Sequence, residues 1–212
     1  DLIALLNNDV IPSENFLVAA FPHFKDGKVF GVSLHEKGYA WARGIFKEGY
    51  IEIAPGEETN QAHISFWVSG GSGVFRRSYW MKLGGMDEKL LSPFYWEDID
   101  ICYRAAKRGW FNLWEPEANV VHKHESTISK FSKKYVERIR ERNQLLVLWK
   151  NLTSPNLFRK HMIGLLKRLV GHPGYLRIIS MALFRIRTVL KARSKEKREG
   201  KVSDEAIFAK FS

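Results

Sequence analysis

The chain has 212 residues, 45% of them hydrophobic and 13% aromatic, enough apolar material for one substantial core with a smaller appendage. Its one cysteine, Cys102, excludes an internal disulfide and a multi-cysteine zinc site, which fits a reducing, cytoplasmic setting. The net charge of +11 is unevenly placed: residues 156–212 carry 14 basic and 4 acidic side chains, so the tail is strongly cationic and the body nearly neutral.

The apolar run Leu2–Leu6 stops at Asn7, Asn8 and Asp9, the pattern of a buried strand ending in a polar loop. Pro12 and Ser13 suit a helix start, and Phe16, Leu17, Ala20 and Phe21 follow at helical spacing. A Lys25-Asp26-Gly27-Lys28 turn precedes an apolar strand over 29–34. Residues 35–60 read as hairpin strands and loops, and 63–68 as a further strand. Residues 76–83 suit a helix closed by Gly84-Gly85. A second helix, 97–108, has acids in its first turn and bases in its last, matching the macrodipole, and stops at Gly109. Two short strands are expected near 111–114 and 119–122. Helices follow over 132–152, 156–170 and 175–197, separated at Pro155 and at Gly171-His172-Pro173-Gly174.

Four segments could carry chemistry. Asn7-Asn8-Asp9 follows a strand, where ligands of open α/β sheets gather and a carboxylate can hold a cation against a diphosphate; alone it is also an ordinary polar turn. Trp96-Glu97-Asp98-Ile99-Asp100 clusters three carboxylates at a helix start, where crowding pushes their pKa values apart and suits one of them to general-base work. The competing reading is helix-start electrostatics, with Asp100 pairing Arg104 one turn on. His122 and His124 share a face at the end of a strand and could complete a metal site, or be plain surface histidines. Ser69-Gly70-Gly71-Ser72-Gly73 lets backbone approach a ligand closely but matches no phosphate-loop consensus.

The blocks LLNNDV, SGGSGVFRRSYWMKLGGMDE, FYWEDIDICYRAAKRGW and EPEANVVHKH, in that order, resemble the family-two glycosyltransferases of the GT-A fold, especially their rhamnosyl- and galactofuranosyl-transferase-like members. The resemblance covers about residues 1–150, with a looser match at RNQLLVLWKN. It implies an α/β, Rossmann-like, partial GT-A domain over 1–130 and a basic helical extension over 131–212. It further implies that Asp9 and His122 bind Mg²⁺ or Mn²⁺, with Asn7 standing where the motif's first acid is usual and lying beside the donor. Asp98 would be the general base, with Glu97 its rival. Trp96 and the Gly70-Gly71 turn would face the acceptor and donor sugars. Glu125 occupies a position where the family often has glycine. Family members carry a strand-helix-strand unit for the nucleotide base before the metal motif, so this chain is expected to bind donor poorly by itself. The implied reaction is inverting transfer of a sugar from a nucleotide-diphosphate donor to a glycan or lipid-linked acceptor in bacterial surface-polysaccharide synthesis.

The tail places Leu165, Leu166 and Leu169, then Ile178, Ile179 and Leu183, among Arg and Lys at helical spacing. Peripheral attachment to an anionic inner leaflet of the cell membrane is one reading, and a basic helix packed on the catalytic domain is the other. The apolar run 178–184 is too short to span a bilayer. A module that binds nucleic acid or a membrane surface without catalysis is the competing function class. Nucleic acid is not expected as a partner, because the aromatics lie in the neutral body away from the charge. A metal hydrolase lacks both a nucleophile elbow and a His-Glu pair at helical spacing.

Overall fold

A computed structural model describes residues 1–123 and 130–211. Its main sheet runs β1 (Leu2–Leu6), β7 (Ser72–Arg76), β3 (Val29–Glu36), β8 (Phe111–His122), β2 (Val10–Pro12), with β6 (His63–Ser65) also paired to β8. The sheet is mixed: β3 and β8 are parallel, and every other pairing is antiparallel. On one face α1 (Phe16–Ala20) and a 3-10 turn over Phe21–Lys25 cover Val29, Val32 and Leu34. On the other, α2 (Arg77–Leu83) and α4 (Glu97–Lys107) cover Phe30 and Phe75 through Leu83, Ile101 and Ala105. Burying β3 on both faces explains its near-continuous apolar sequence.

The hairpin β4 (Ala42–Lys47) and β5 (Tyr50–Pro55) forms a second sheet. Its two-residue turn has positive φ at both Glu48 and Gly49, the geometry whose twist matches the flanking strands. The short α3 (Glu88–Leu91) is capped by Asp87, whose side chain accepts from the Leu90 amide. Beyond it come α5 (Lys133–Asn151), α6 (Pro155–Gly171), α7 (Leu176–Leu183), α8 (Ile186–Glu199) and α9 (Asp204–Phe208). These helices share one core with the hairpin and α4: Ile51, Phe66 and Tyr103 pack with Leu145, Leu148 and Phe208.

Three expectations change. Leu2–Leu6 is an edge strand in this sheet rather than a buried one, and Leu6 is exposed. The two short strands expected after Gly109 are one, β8, because its pairing to β3 skips past Pro116 and resumes at His35↔Asn119. The helix expected over 175–197 is two, broken at Phe184-Arg185, and α9 was not anticipated. His124 and Glu125 lie outside the described residues.

Candidate active site

Topology gathers the expected site residues at one end of the main sheet. β7 is antiparallel to both β1 and β3, and β8 is parallel to β3. The carboxyl ends of β1, β3 and β8 therefore meet the amino end of β7. Asn7, Glu36, Gly70-Gly71 and His122 all lie at that end, where ligands of α/β sheets collect.

Close backbone approach joins the loops. The Asn7 amide donates to the Gly71 carbonyl at 2.8 Å, and a Cβ on Gly71 would fall 2.5 Å from Asn7 Nδ2. The Gly70 amide donates, at a long 3.4 Å, to Asp98 Oδ2. A Cβ on Gly70 would meet Met86 Cε at 2.9 Å. A side chain at 71 would press on the Asn7 side-chain amide, whereas at 70 it would crowd only the flexible end of Met86, so the close approach favours glycine chiefly at 71.

The first turn of α4 carries Glu97, Asp98 and Asp100. Asp98 is partly buried; desolvation, reinforced by the charge of Glu97, raises its pKa to about 7 against backbone hydrogen bonds from Ile99, Gly70 and Asp98 itself that oppose the rise. Burial also raises Glu97, whose Oε2 has no hydrogen-bond partner among the described residues. Asp100 is fully buried. Burial pushes its pKa up, but Arg104, Lys150 and Asn151 outweigh that and hold it at about 2. The contacts are 2.8 Å to Arg104 Nε, 2.9 Å to Lys150 Nζ and 2.7 Å to Asn151 Nδ2, so Asp100 is a structural anion.

The backbone entering this turn is strained. Tyr95 and Trp96 have φ of 70° and 75°, a left-handed region uncommon for bulky residues. Buried Asn143 of α5 braces it, its Nδ2 within hydrogen-bond distance of the carbonyls of Leu91, Phe94 and Tyr95 at 2.5, 2.9 and 2.9 Å. Trp96 is 9% exposed and packs in the main core, which leaves little of its ring for a sugar. Asn143 is absent from the sequence reading; the only signal for it was the loose match at RNQ.

At the other side of the site, His122 Nε2 lies 3.2 Å from Asp9 Oδ1, and its Nδ1 lies 3.3 Å from Glu36 Oε2. Strand pairing sets this up, since His122 opposes Val10 and the Lys123 amide donates to the Asp9 carbonyl at 2.9 Å. Glu36 also escaped the sequence reading, because nothing in the sequence announces which strand end lies beside His122. The Asp9 carboxylate is the donor type that Mg²⁺ and Mn²⁺ take, and the His122 imidazole is a donor to divalent transition metals. Among the described residues no group of three or more His, Cys, Asp or Glu is placed to hold a metal ion.

The mixed sheet with helices on both faces agrees with the α/β, GT-A fold that the resemblance implies. The comparisons agree. Over 56 residues the chain is 39% identical to an N-acetylglucosaminyl-diphospho-decaprenol L-rhamnosyltransferase of Mycobacterium tuberculosis, a match covering 26% of this chain and 18% of that protein. Over 134 residues it is 30% identical to the pre-mycofactocin glycosyltransferase of the same organism, covering 60% of this chain and 28% of that protein. The chain thus spans under a third of the length of these relatives. No family model matches it. A crystal structure of GalNAc-T7 with UDP, GalNAc and Mn²⁺ superposes with a TM-score of 0.52 at 13% identity, covering 82% of this chain and 40% of that one, a likeness of fold. In fold the chain is of the GT-A type, and over parts of its length its sequence is similar to glycosyltransferases.

Proposed function

We propose that residues 1–130 are catalytic and 131–212 a basic extension in an inverting, metal-dependent glycosyltransferase. It would move a sugar from a nucleotide-diphosphate donor to a glycan or lipid-linked acceptor in bacterial surface-polysaccharide synthesis. The observation that carries this reading is Asp98, a carboxyl raised to about 7 beside Gly70 and at the same sheet end as Asn7. A base near neutrality both exists ionised and accepts a proton effectively.

Asp98 takes the proton of an acceptor hydroxyl as that oxygen attacks the anomeric carbon from the side opposite the diphosphate. The new carbon–oxygen bond forms as the bond to the diphosphate breaks, its electron pair leaves with the diphosphate, and configuration inverts once. Burial, reinforced by the charge of Glu97, keeps the Asp98 pKa high. Asn7 and the Gly70-Gly71 turn lie where the donor would pass. Asp9 and His122 would hold Mg²⁺ or Mn²⁺, whose chemistry when bound is to stabilise charge on the leaving diphosphate. Glu36, on the opposite nitrogen, fixes the His122 ring with Nε2 toward Asp9. A lipid-linked acceptor gains support from the diphospho-decaprenol in the name of one relative, and the cationic extension would keep the enzyme on an anionic inner leaflet beside it. No helix among the described residues is long and apolar enough to cross a membrane.

The test is Mn²⁺-dependent release of nucleoside diphosphate by the full-length protein from a panel of sugar nucleotides, with lipid-linked acceptors added. The expected result is acceptor-dependent release that Asp98→Asn abolishes while donor binding persists. Release indifferent to acceptor and to Asp98 would overturn the reading.

A further inference from the structure

A cavity of about 940 Å³ opens between the β4–β5 hairpin and α6, apart from the site above. The hairpin contributes Lys47 and Tyr50 to its lining, and α6 contributes Lys160, Ile163, Lys167 and Arg168. Its acids are Glu48 and Glu52, and Lys47 meets Glu52 at 3.8 Å. Arg168 pairs with Glu141 at 3.1 Å and lies between the rings of Tyr50 and Tyr175, at 4.9 and 4.8 Å from their centroids. Lys160 and Lys167 meet no carboxylate among the described residues. The hydroxyl of Tyr50, in the lining, is buried against Arg168 and Tyr175.

The walls of this cavity are fixed. A Cβ on Gly164 would fall 2.1 Å from the Glu48 carbonyl, so α6 and the hairpin turn touch through backbone. His161 pins the turn: its Nδ1 donates to the Gly49 carbonyl at 2.7 Å, and its Nε2 accepts from Trp149 Nε1 at 2.9 Å. With one nitrogen donating and the other accepting, His161 is neutral, in keeping with the burial that lowers its pKa.

Beside the cavity, α6 shows solvent an apolar stripe of Met162, Ile163, Leu166 and Val170, up to 75% exposed at Val170. Positions i, i+1, i+4 and i+8 share one helical face. Nothing in the described chain covers that stripe, yet Lys160 and Lys167 border it. Apolar side chains edged by cations match the chemistry of a phospholipid leaflet, where acyl chain and anionic phosphate lie one above the other. A nucleic-acid backbone would use the lysines and gain nothing from Leu166 and Val170.

We propose that α6 is the membrane-contacting element of this protein, with the phosphate of an anionic lipid headgroup entering the cavity beside Tyr50, Lys160 and Lys167 and the Met162-to-Val170 stripe lying against the acyl region. This gives a location to the attachment assigned above to the whole extension. It does not depend on catalysis, so loss of transfer activity and loss of membrane contact are separately measurable.

The experiment is co-sedimentation of the full-length protein with vesicles of phosphatidylcholine, with and without phosphatidylglycerol, at low salt. Wild type should bind only the anionic vesicles. Lys160→Glu with Lys167→Glu should weaken binding about tenfold or more, and Lys160→Gln with Lys167→Gln should weaken it less. The same charge reversal at exposed Lys197 and Arg198 of α8 should leave it within about twofold. Leu166→Ser with Val170→Ser should also release the vesicles. Equal losses from both charge-reversal pairs would mean diffuse attraction to the cationic tail and overturn the proposal. Vesicle binding that survives the two serines would show that the stripe makes no contact with the acyl region and would overturn it equally. All variants are at or near the surface, and unchanged circular dichroism melts confirm that they fold.

Discussion

Glu97, Asp98 and Asp100 lie within four positions and meet opposite fates, because one helical turn faces both the site and the core. Asp98 is raised to about 7, so between its unfolded value of 3.8 and 7 the folded chain holds a proton the unfolded chain has lost. Stability contributed by this group therefore falls as pH rises through that window and levels off above it. Asp98→Asn should lose transfer activity yet melt no lower than wild type at pH 8, and its advantage should vanish at pH 4, as thermal denaturation at the two pH values would reveal. Wild-type kcat should climb as pH rises through about 7, the Asp98 pKa, and level off above. Asp100 works in the reverse sense. Its folded pKa of about 2 gives stability that is present above pH 4 and lost as pH falls through 2. Asp100→Ala would leave buried Arg104 with no carboxylate, and Lys150 with Asp87 alone, among the described residues, at a cost of about 3–5 kcal/mol by urea titration.

At the scale of elements, α5 shapes the turn that carries Asp98, the proposed base. α5 presents Asn143 to three carbonyls of the 91–95 loop, and Arg142 donates to the Ser92 carbonyl at 2.7 Å. Two consecutive left-handed residues hold only while that bracing holds. Asn143→Ala should cost about 1–3 kcal/mol for the buried carbonyls it strips. It should lower kcat and leave donor KM nearly unchanged, because Asp98 moves and Asn7 does not; a rise confined to donor KM would place the loop at the donor instead. Period and punctuation made α4, α5, β3 and the hairpin legible, since each buries a regular stripe or ends at a glycine. Asp9, His122, Asn7, the glycine pair and the acidic turn were also legible as motifs, and the fold brings them to one sheet end. Asn143 and Glu36 were not legible, because their roles depend on which element packs opposite. The single strand β8 was missed because Pro116 reads as a break, whereas the ladder resumes beyond it. The exposed edge at β1 depends on strand order, which an apolar run does not encode.

Over the whole molecule, the question is whether the cationic helices form a separate appendage or part of one cooperative body. Ion pairs with little or no exposure join the two. Lys107 of α4 donates to Asp204 of α9 at 2.7 Å, and Asp204 also accepts from the Tyr103 hydroxyl at 2.6 Å and the Ser154 amide at 2.6 Å. Arg108 pairs with Glu196 and, at 2.7 Å, with Glu199 of α8. The acids are few in this part of the chain, and Asp204, Glu196 and Glu199 are spent on these ties, which leaves the outward surface cationic. The basic tail is thus a product of where its acids are used as much as of how many bases it has. Asp204→Ala removes the anion from a buried cluster and should cost about 3–5 kcal/mol. If α9 and α4 belong to one cooperative unit, hydrogen exchange at β3 amides, on the far side of α4, should accelerate together with exchange in α8 and α9, and the melt should stay a single transition. Acceleration confined to residues beyond 200 would show that the last helix opens alone, and that the ties through Arg108 suffice to keep the remaining extension on the sheet.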